Sequence, residues 1–126
     1  MKSPRNISSK TLKCDVAILG GGLAGGLIAL ALRRKRPELD VLLIEESASL
    51  GGNHIWSFFG PDVADKHRWL VAPLVCHGWR GYDVKFPGHE RALEESYYSI
   101  LSDRFDEYLR ETLPAHHIVT GTRALA

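Results

Sequence analysis

Gly20-Gly21-Gly22-Leu23-Ala24-Gly25 lies between one apolar run, Val16 to Leu19, and another, Leu23 to Leu32. These glycines satisfy G-x-G-x-x-G in the context that gives the pattern meaning, a buried strand followed by a tight turn and a helix. Glycine at 20 permits the sharp bend, at 22 it lets an anion approach the backbone amides, and at 25 it lets helix and strand pack closely. Phosphates then meet the helix N-terminus, where unpaired N–H groups and the positive dipole end attract anions. Downstream, Val41-Leu42-Leu43-Ile44 reads as a second strand. It ends in Glu45, near the ~20-residue offset at which a carboxylate reaches ribose hydroxyls. Strand, turn, helix, strand and acid together predict a dinucleotide-binding βαβ unit. A carboxylate repels a 2′-phosphate, so Glu45 favours FAD or NAD over NADP at this site.

The surrounding composition is that of a globular α/β protein. The chain has 126 residues, 44% hydrophobic and 25% charged, the length of one domain. A dinucleotide-binding half needs a partner region to hold a substrate. The chain also stops just after a strand start, Ile118-Val119-Thr120, so residues 14–126 are expected to be the N-terminal part of a larger domain. Sixteen Lys and Arg against fifteen Asp and Glu give a net charge of +1, which offers no electrostatic case for nucleic acid. Cys14 and Cys76 form no C-x-x-C, and the six histidines show no metal-ligand spacing, so neither a disulfide framework nor a metal is expected. Residues 1–13 carry Lys2, Arg5, Lys10 and Lys13 with no apolar core, which reads as a flexible basic tail rather than a secretory signal. The apolar run Leu23 to Leu32 is too short to span a bilayer.

Along the chain, the continuous apolar character of Asp15 to Leu19 predicts a parallel strand buried on both faces. Leu23, Leu27 and Leu30 fall at i, i+4 and i+7 of the following helix, which Arg33-Arg34-Lys35-Arg36 and Pro37 terminate. That basic run reads as a solvated helix end. Residues 62–75 are weakly helical around Pro73. Tyr82, Val84 and Phe86 alternate, and Pro87-Gly88 predicts a hairpin returning through Arg91 to Leu93. Ser102-Asp103 is a candidate cap for a helix over Arg104 to Leu113, with Phe105, Tyr108, Leu109 and Thr112 on one face. Ile118-Val119 is then the third parallel strand, near 117–120, in a three-layer parallel α/β unit with adjacent strands near 15–19 and 41–45.

Several blocks in this order resemble the N-terminal third of bacterial-type lycopene β-cyclases. They are Gly20 to Leu27; Leu43-Ile44-Glu45; Gly51-Gly52-Asn53-His54-Ile55-Trp56-Ser57-Phe58; Trp69 to Val75; Gly81 to Pro87; Tyr98-Ser99-Ile100; and Ser102 to Phe105. The first two occur in many flavoproteins. The block from Gly51 to Phe58 is the more specific, with Ile55 where this family often has Thr. The resemblance implies a Rossmann-like FAD-binding sheet carrying an inserted hairpin region. It also implies reduced FAD with NADPH as reductant, a linear carotenoid substrate such as lycopene, and a cytoplasmic protein that can sit peripherally on a membrane. Such enzymes protonate the linear end of lycopene, close the cation on a neighbouring double bond and lose a proton, with no net redox change. Cofactor contacts are then expected from Gly20, Gly21, Gly22, Leu23, Ala24, Gly25, Glu45, Gly51, Gly52 and Arg104, and the catalytic acid from beyond Ala126. His54 and Trp56 read equally as packing residues or as neighbours of flavin and substrate. Arg104 reads equally as a surface ion-pair residue. An FAD-dependent monooxygenase or isoprenoid reductase would share the glycine turn, Glu45 and Arg104; a non-catalytic dinucleotide-binding module would share the turn and the acid.

Overall fold

The computed structural model describes residues 11–125. The tail expected over residues 1–13 lies, up to residue 10, outside them. Strand β1 (Val16–Leu19), helix α1 (Leu23–Lys35) and strand β2 (Val41–Ile44) form the expected βαβ unit. β1 and β2 pair in parallel register, Val16 opposite Val41 and Leu19 opposite Ile44. After α1, the last-turn cations Arg33, Arg34 and Lys35 face the negative dipole end, and the Arg36 amide closes the helix on the Leu32 carbonyl at 2.7 Å.

Between β2 and the last strand the chain builds a second, antiparallel sheet. Strand β3 (Ile55–Phe59) leads into short helical turns, helix α2 (Arg68–Val71) and strand β4 (His77–Trp79). Strands β5 (Tyr82–Phe86) and β6 (His89–Leu93) make the expected hairpin, with Gly88 at φ 75° in its turn. Strand β7 (Tyr97–Leu101) then returns between β3 and β4, giving the order β3-β7-β4. Helix α3 (Ser102–Thr112) follows at once, and strand β8 (Ile118–Val119) pairs in parallel with β2, giving β1-β2-β8. The third parallel strand therefore stands where the sequence places it.

The core sits between the parallel sheet and the pair α1/α3. Ile18, Val41 and Leu43 meet Ala29 and Leu30 of α1 and Phe105, Leu109 and Leu113 from α3 and its end. The two helices approach at Gly26, where a Cβ would overlap the Phe105 ring. Glycine is required there for close packing, not for backbone freedom.

Three expectations need correction. β1 is not buried on both faces: Ile18 is buried, but Ala17 and Leu19 are exposed, because β1 is an edge of the described sheet and α1 and α3 cover one side. Ser102 does not cap α3. It is the first helical residue, Leu101 takes the N-cap place, and the Ser102 hydroxyl accepts from the His54 amide at 3.2 Å instead. Thr112 is exposed, and Leu113 completes the apolar stripe Phe105-Leu109-Leu113 at i, i+4, i+8.

Candidate functional site

The glycine turn joins the end of β1 to α1 and faces the end of β2. Gly20 adopts φ 99°, a conformation that side chains resist, and its amide donates to the Ile44 carbonyl at 2.8 Å. This bond ties the turn to the neighbouring strand. Gly22 occupies the N-cap of α1 with extended backbone, φ −77° and ψ −173°, and no side chain caps the helix. The first turn of α1 holds no acidic residue. Its orphan amides are therefore left for an anion, which the dipole favours. A Cβ at Gly22 would meet nothing within 4 Å, whereas one at Gly25 would overlap the Gly20 carbonyl oxygen and press on Ile18 Cγ2 at 3.2 Å. The two glycines thus serve different ends: Gly25 makes the close strand–helix contact, and Gly22 keeps open the space in front of the amides.

Glu45 stands beside this space. Its Oε2 accepts from the Gly21 amide at 2.7 Å and its Oε1 from the Ser47 amide at 3.1 Å. The Ser47 and Gly21 amides hold its carboxyl below the usual carboxylate range, against a smaller opposing effect of burial. The group is ionised at neutral pH. Each carboxylate oxygen keeps a further lone pair for a hydroxyl donor. A carboxylate with a lowered folded-state pKa stabilises the fold above its unfolded pKa, about 4.3, and that contribution is lost as pH falls through the folded value. In urea titrations the stability gap between wild type and Glu45→Gln is expected to be full at pH 7 and to close on acidification below pH ~4. A pH-independent gap would show that the carboxylate charge plays no part.

The second glycine pair is brought to the same place. The Gly51 amide donates to the Gly21 carbonyl at 2.7 Å, and Gly51 and Gly52 adopt φ 84° and 63°. A Cβ at Gly51 would lie 2.8 Å from Phe105 Cδ1 and 3.1 Å from Trp56 Cη2. The loop therefore rests on an aromatic floor, the Trp56 and Phe105 rings meeting edge to face at 5.2 Å. Helix α3 fastens the loop from behind. Asp106 Oδ1 accepts the Leu50 amide at 2.8 Å, Arg110 bonds Asp106 and donates to the Ala48 carbonyl at 2.8 Å, and the Ser102 amide donates to the His54 carbonyl at 3.0 Å.

The Gly20–Gly25 turn, Glu45 and Gly51 are thus tied together by hydrogen bonds at the ends of β1 and β2, with open space in front of Gly22. Arg104 is not directed there. Its Nε and Nη2 donate to the Pro73 carbonyl at 3.3 and 3.2 Å, and Nη1 pairs with Glu107 at 3.1 Å, so it joins α3 to the 72–74 turn. Trp56 is half-buried packing beneath Gly51, while His54 is exposed. Sequence reasoning missed Asp106 and Arg110. On a helix surface they read as an ordinary i,i+4 pair, and only the fold shows that they anchor the 48–51 loop. No helix among the described residues is long and apolar enough to cross a membrane.

Comparison with known proteins agrees with this arrangement of blocks. The family described as "Lycopene cyclase protein" matches residues 15–125. A lycopene beta-cyclase of Pseudescherichia vulneris is 52% identical over 100 residues, 79% of this chain and 26% of that protein. One from Pantoea ananas is 45% identical over 103 residues, 81% of this chain and 27% of that protein. A third, from Paracoccus sp. (strain N81106 / MBIC 01143), is 43% identical over 86 residues, 68% and 22% of the respective chains. The chain spans about a quarter of the length of these curated relatives.

Proposed function

This chain belongs to the lycopene cyclase family, and from that premise we propose that it is the N-terminal, FAD-binding portion of a lycopene β-cyclase, which closes the linear ends of lycopene into β-ionone rings. The observation that carries the cofactor reading is the convergence of an uncapped α1 N-terminus, open space in front of Gly22 and the Glu45 carboxylate on one side of the turn. These residues fit a dinucleotide in a Rossmann-like unit. The amides at the start of α1, from Gly22 through Ala24, would take the pyrophosphate, Glu45 the adenosine ribose hydroxyls, and the Gly51-Gly52 backbone would run alongside. When bound and reduced, with NADPH as reductant, FAD supplies electron density that stabilises positive charge on a hydrocarbon. The chain's own part is to hold that group and keep water away, since water would capture a carbocation. Trp56 and Phe105 keep the floor of the 51–52 loop apolar and rigid, and Asp106 with Arg110 stops the loop from opening.

On this reading the catalytic acid lies beyond residue 126, and Arg104 would reach the cofactor only by leaving Pro73 and Glu107. The reading includes a peripheral, cytoplasmic protein that takes its carotenoid from a membrane. The full-length protein incubated with lycopene, FAD and NADPH, in parallel with and without oxygen, is expected to yield cyclised carotenoid of unchanged redox state in both, followed by chromatography. A hydroxylated or hydrogenated product would instead indicate a monooxygenase or a reductase. Glu45→Gln is expected to weaken FAD binding by roughly 1–3 kcal/mol, the scale of a hydrogen bond to a charged group, in a fluorescence titration at pH 7. Wild-type affinity in a folded variant would remove Glu45 from the site.

A further inference from the structure

At the opposite end of the parallel sheet, where strands begin rather than end, an aspartate and a pair of adjacent histidines distant from it in sequence come together. Asp40 immediately precedes β2, and His116 and His117 close the short turn that leads into β8. Pairing of β2 with β8, Leu43 opposite Ile118, brings these entrances side by side. One ligand atom from each of Asp40, His116 and His117 lies within 4.8 Å of the others, the one such trio among the described residues. We propose that these three residues bind a divalent zinc ion, which clamps the entrances of β2 and β8 at the end of the sheet remote from the glycine turn.

The geometry favours this over an ordinary ion pair. Two imidazoles and one carboxylate, with water in the fourth place, are a donor set that zinc accepts. Zinc bonds of about 2.0–2.2 Å in a tetrahedron place ligand atoms about 3.3 Å apart. His117 Nε2 and Asp40 Oδ1 are already separated by 3.7 Å. The His116 and His117 rings stand edge to face with centroids 4.5 Å apart, so a rotation of the exposed His116 ring completes the set.

The frame around the trio is held without these side chains. The Asp40 carbonyl accepts the Asp15 and Val16 amides at 2.8 and 3.1 Å, and its own amide donates to Asp15 Oδ2 at 2.8 Å. The His117 amide donates to the Pro114 carbonyl at 2.9 Å, closing the turn. Arg33 lines the same crevice as His117.

The histidine spacing alone predicts no metal, because two adjacent histidines become a site only when residue 40 is folded against them. The test uses the untagged full-length protein, freed of metal with chelator and titrated with zinc chloride by calorimetry, with magnesium chloride as control. One zinc per chain is expected, with a rise in Tm, and no response to magnesium. His116→Ala and Asp40→Asn, which leave the buried His117 and all backbone bonds in place, are each expected to weaken zinc at least tenfold and to abolish the Tm rise. Cobalt substitution should give visible absorption of tetrahedral intensity in the wild type and lose it in both variants. Unchanged zinc affinity in the folded variants, or no zinc bound by the wild type at 100 µM, would overturn the site.

Discussion

Flavin retention in the full-length Gly22→Val protein is expected to fall at least ~100-fold while the fold remains intact. The backbone at residue 22 is extended, at φ −77° and ψ −173°, and valine adopts such a conformation readily. A Cβ there touches nothing within 4 Å, so the protein leaves room for a side chain to start at this position. The branch would stand in front of the α1 amides, in the space proposed for the pyrophosphate. Losing two hydrogen bonds to a charged phosphate, at roughly 1.5–3 kcal/mol each, accounts for a loss of that size. Flavin absorbance per folded protein, with circular dichroism as the check on folding, measures it. Gly25→Ala is the contrasting case, because its Cβ overlaps the Gly20 carbonyl oxygen and should damage the βα junction itself. Equal flavin content in Gly22→Val and wild type would place the cofactor elsewhere.

The second large effect is on stability. Phe105→Ala should cost about 3–5 kcal/mol, the range for emptying a buried aromatic site. Phe105 is fully buried, fills the notch left by Gly26, supports Gly51 and meets Trp56 edge to face. It joins α1, α3 and the 51–52 loop in one contact. Urea unfolding followed by circular dichroism should show the midpoint falling with little change in slope. A cost under about 1 kcal/mol would mean that α1 and α3 close over the space. Gly26→Ala should also destabilise, and its cost should shrink in a Phe105→Leu background, because the two residues compete for one volume.

What the sequence revealed about this protein follows from how local each signal is. The βαβ unit is written in 30 consecutive residues, from Val16 to Glu45, and its strand, turn and helix stand where glycines, apolar runs and Pro37 place them. The β5–β6 hairpin is equally local, set by Pro87-Gly88. The antiparallel sheet was not legible in the same way. β3 and β7 pair Ile55 with Leu101 across more than 40 residues, and β4 contributes only His77, Gly78 and Trp79 to it. Tyr97 to Leu101 does carry a strand composition, aromatic and β-branched, that could have been recognised. Ser102 illustrates competition between local and distant partners: a serine at a helix start reads as a cap, but its hydroxyl is taken by the amide of His54. Arg104 shows the same competition, its guanidinium being bonded to the Pro73 carbonyl. Of the proposed cofactor contacts, those fixed by the backbone of the turn and by Glu45 stand together, and the one that depended on a long side chain's direction does not.

The most direct test of the cofactor assignment compares FAD with FMN. FMN has the flavin and one phosphate but lacks the adenosine ribose that Glu45 is proposed to hold and the second phosphate at the α1 N-terminus. Quenching of flavin fluorescence by the full-length apoprotein is expected to show one FAD bound per chain. FMN should bind at least ~100-fold more weakly, the loss of two or more hydrogen bonds to charged groups at about 1.5–3 kcal/mol each. Equal affinity for FAD and FMN, or no quenching by either, would contradict the proposal that the turn at Gly20–Gly25 and Glu45 bind the dinucleotide.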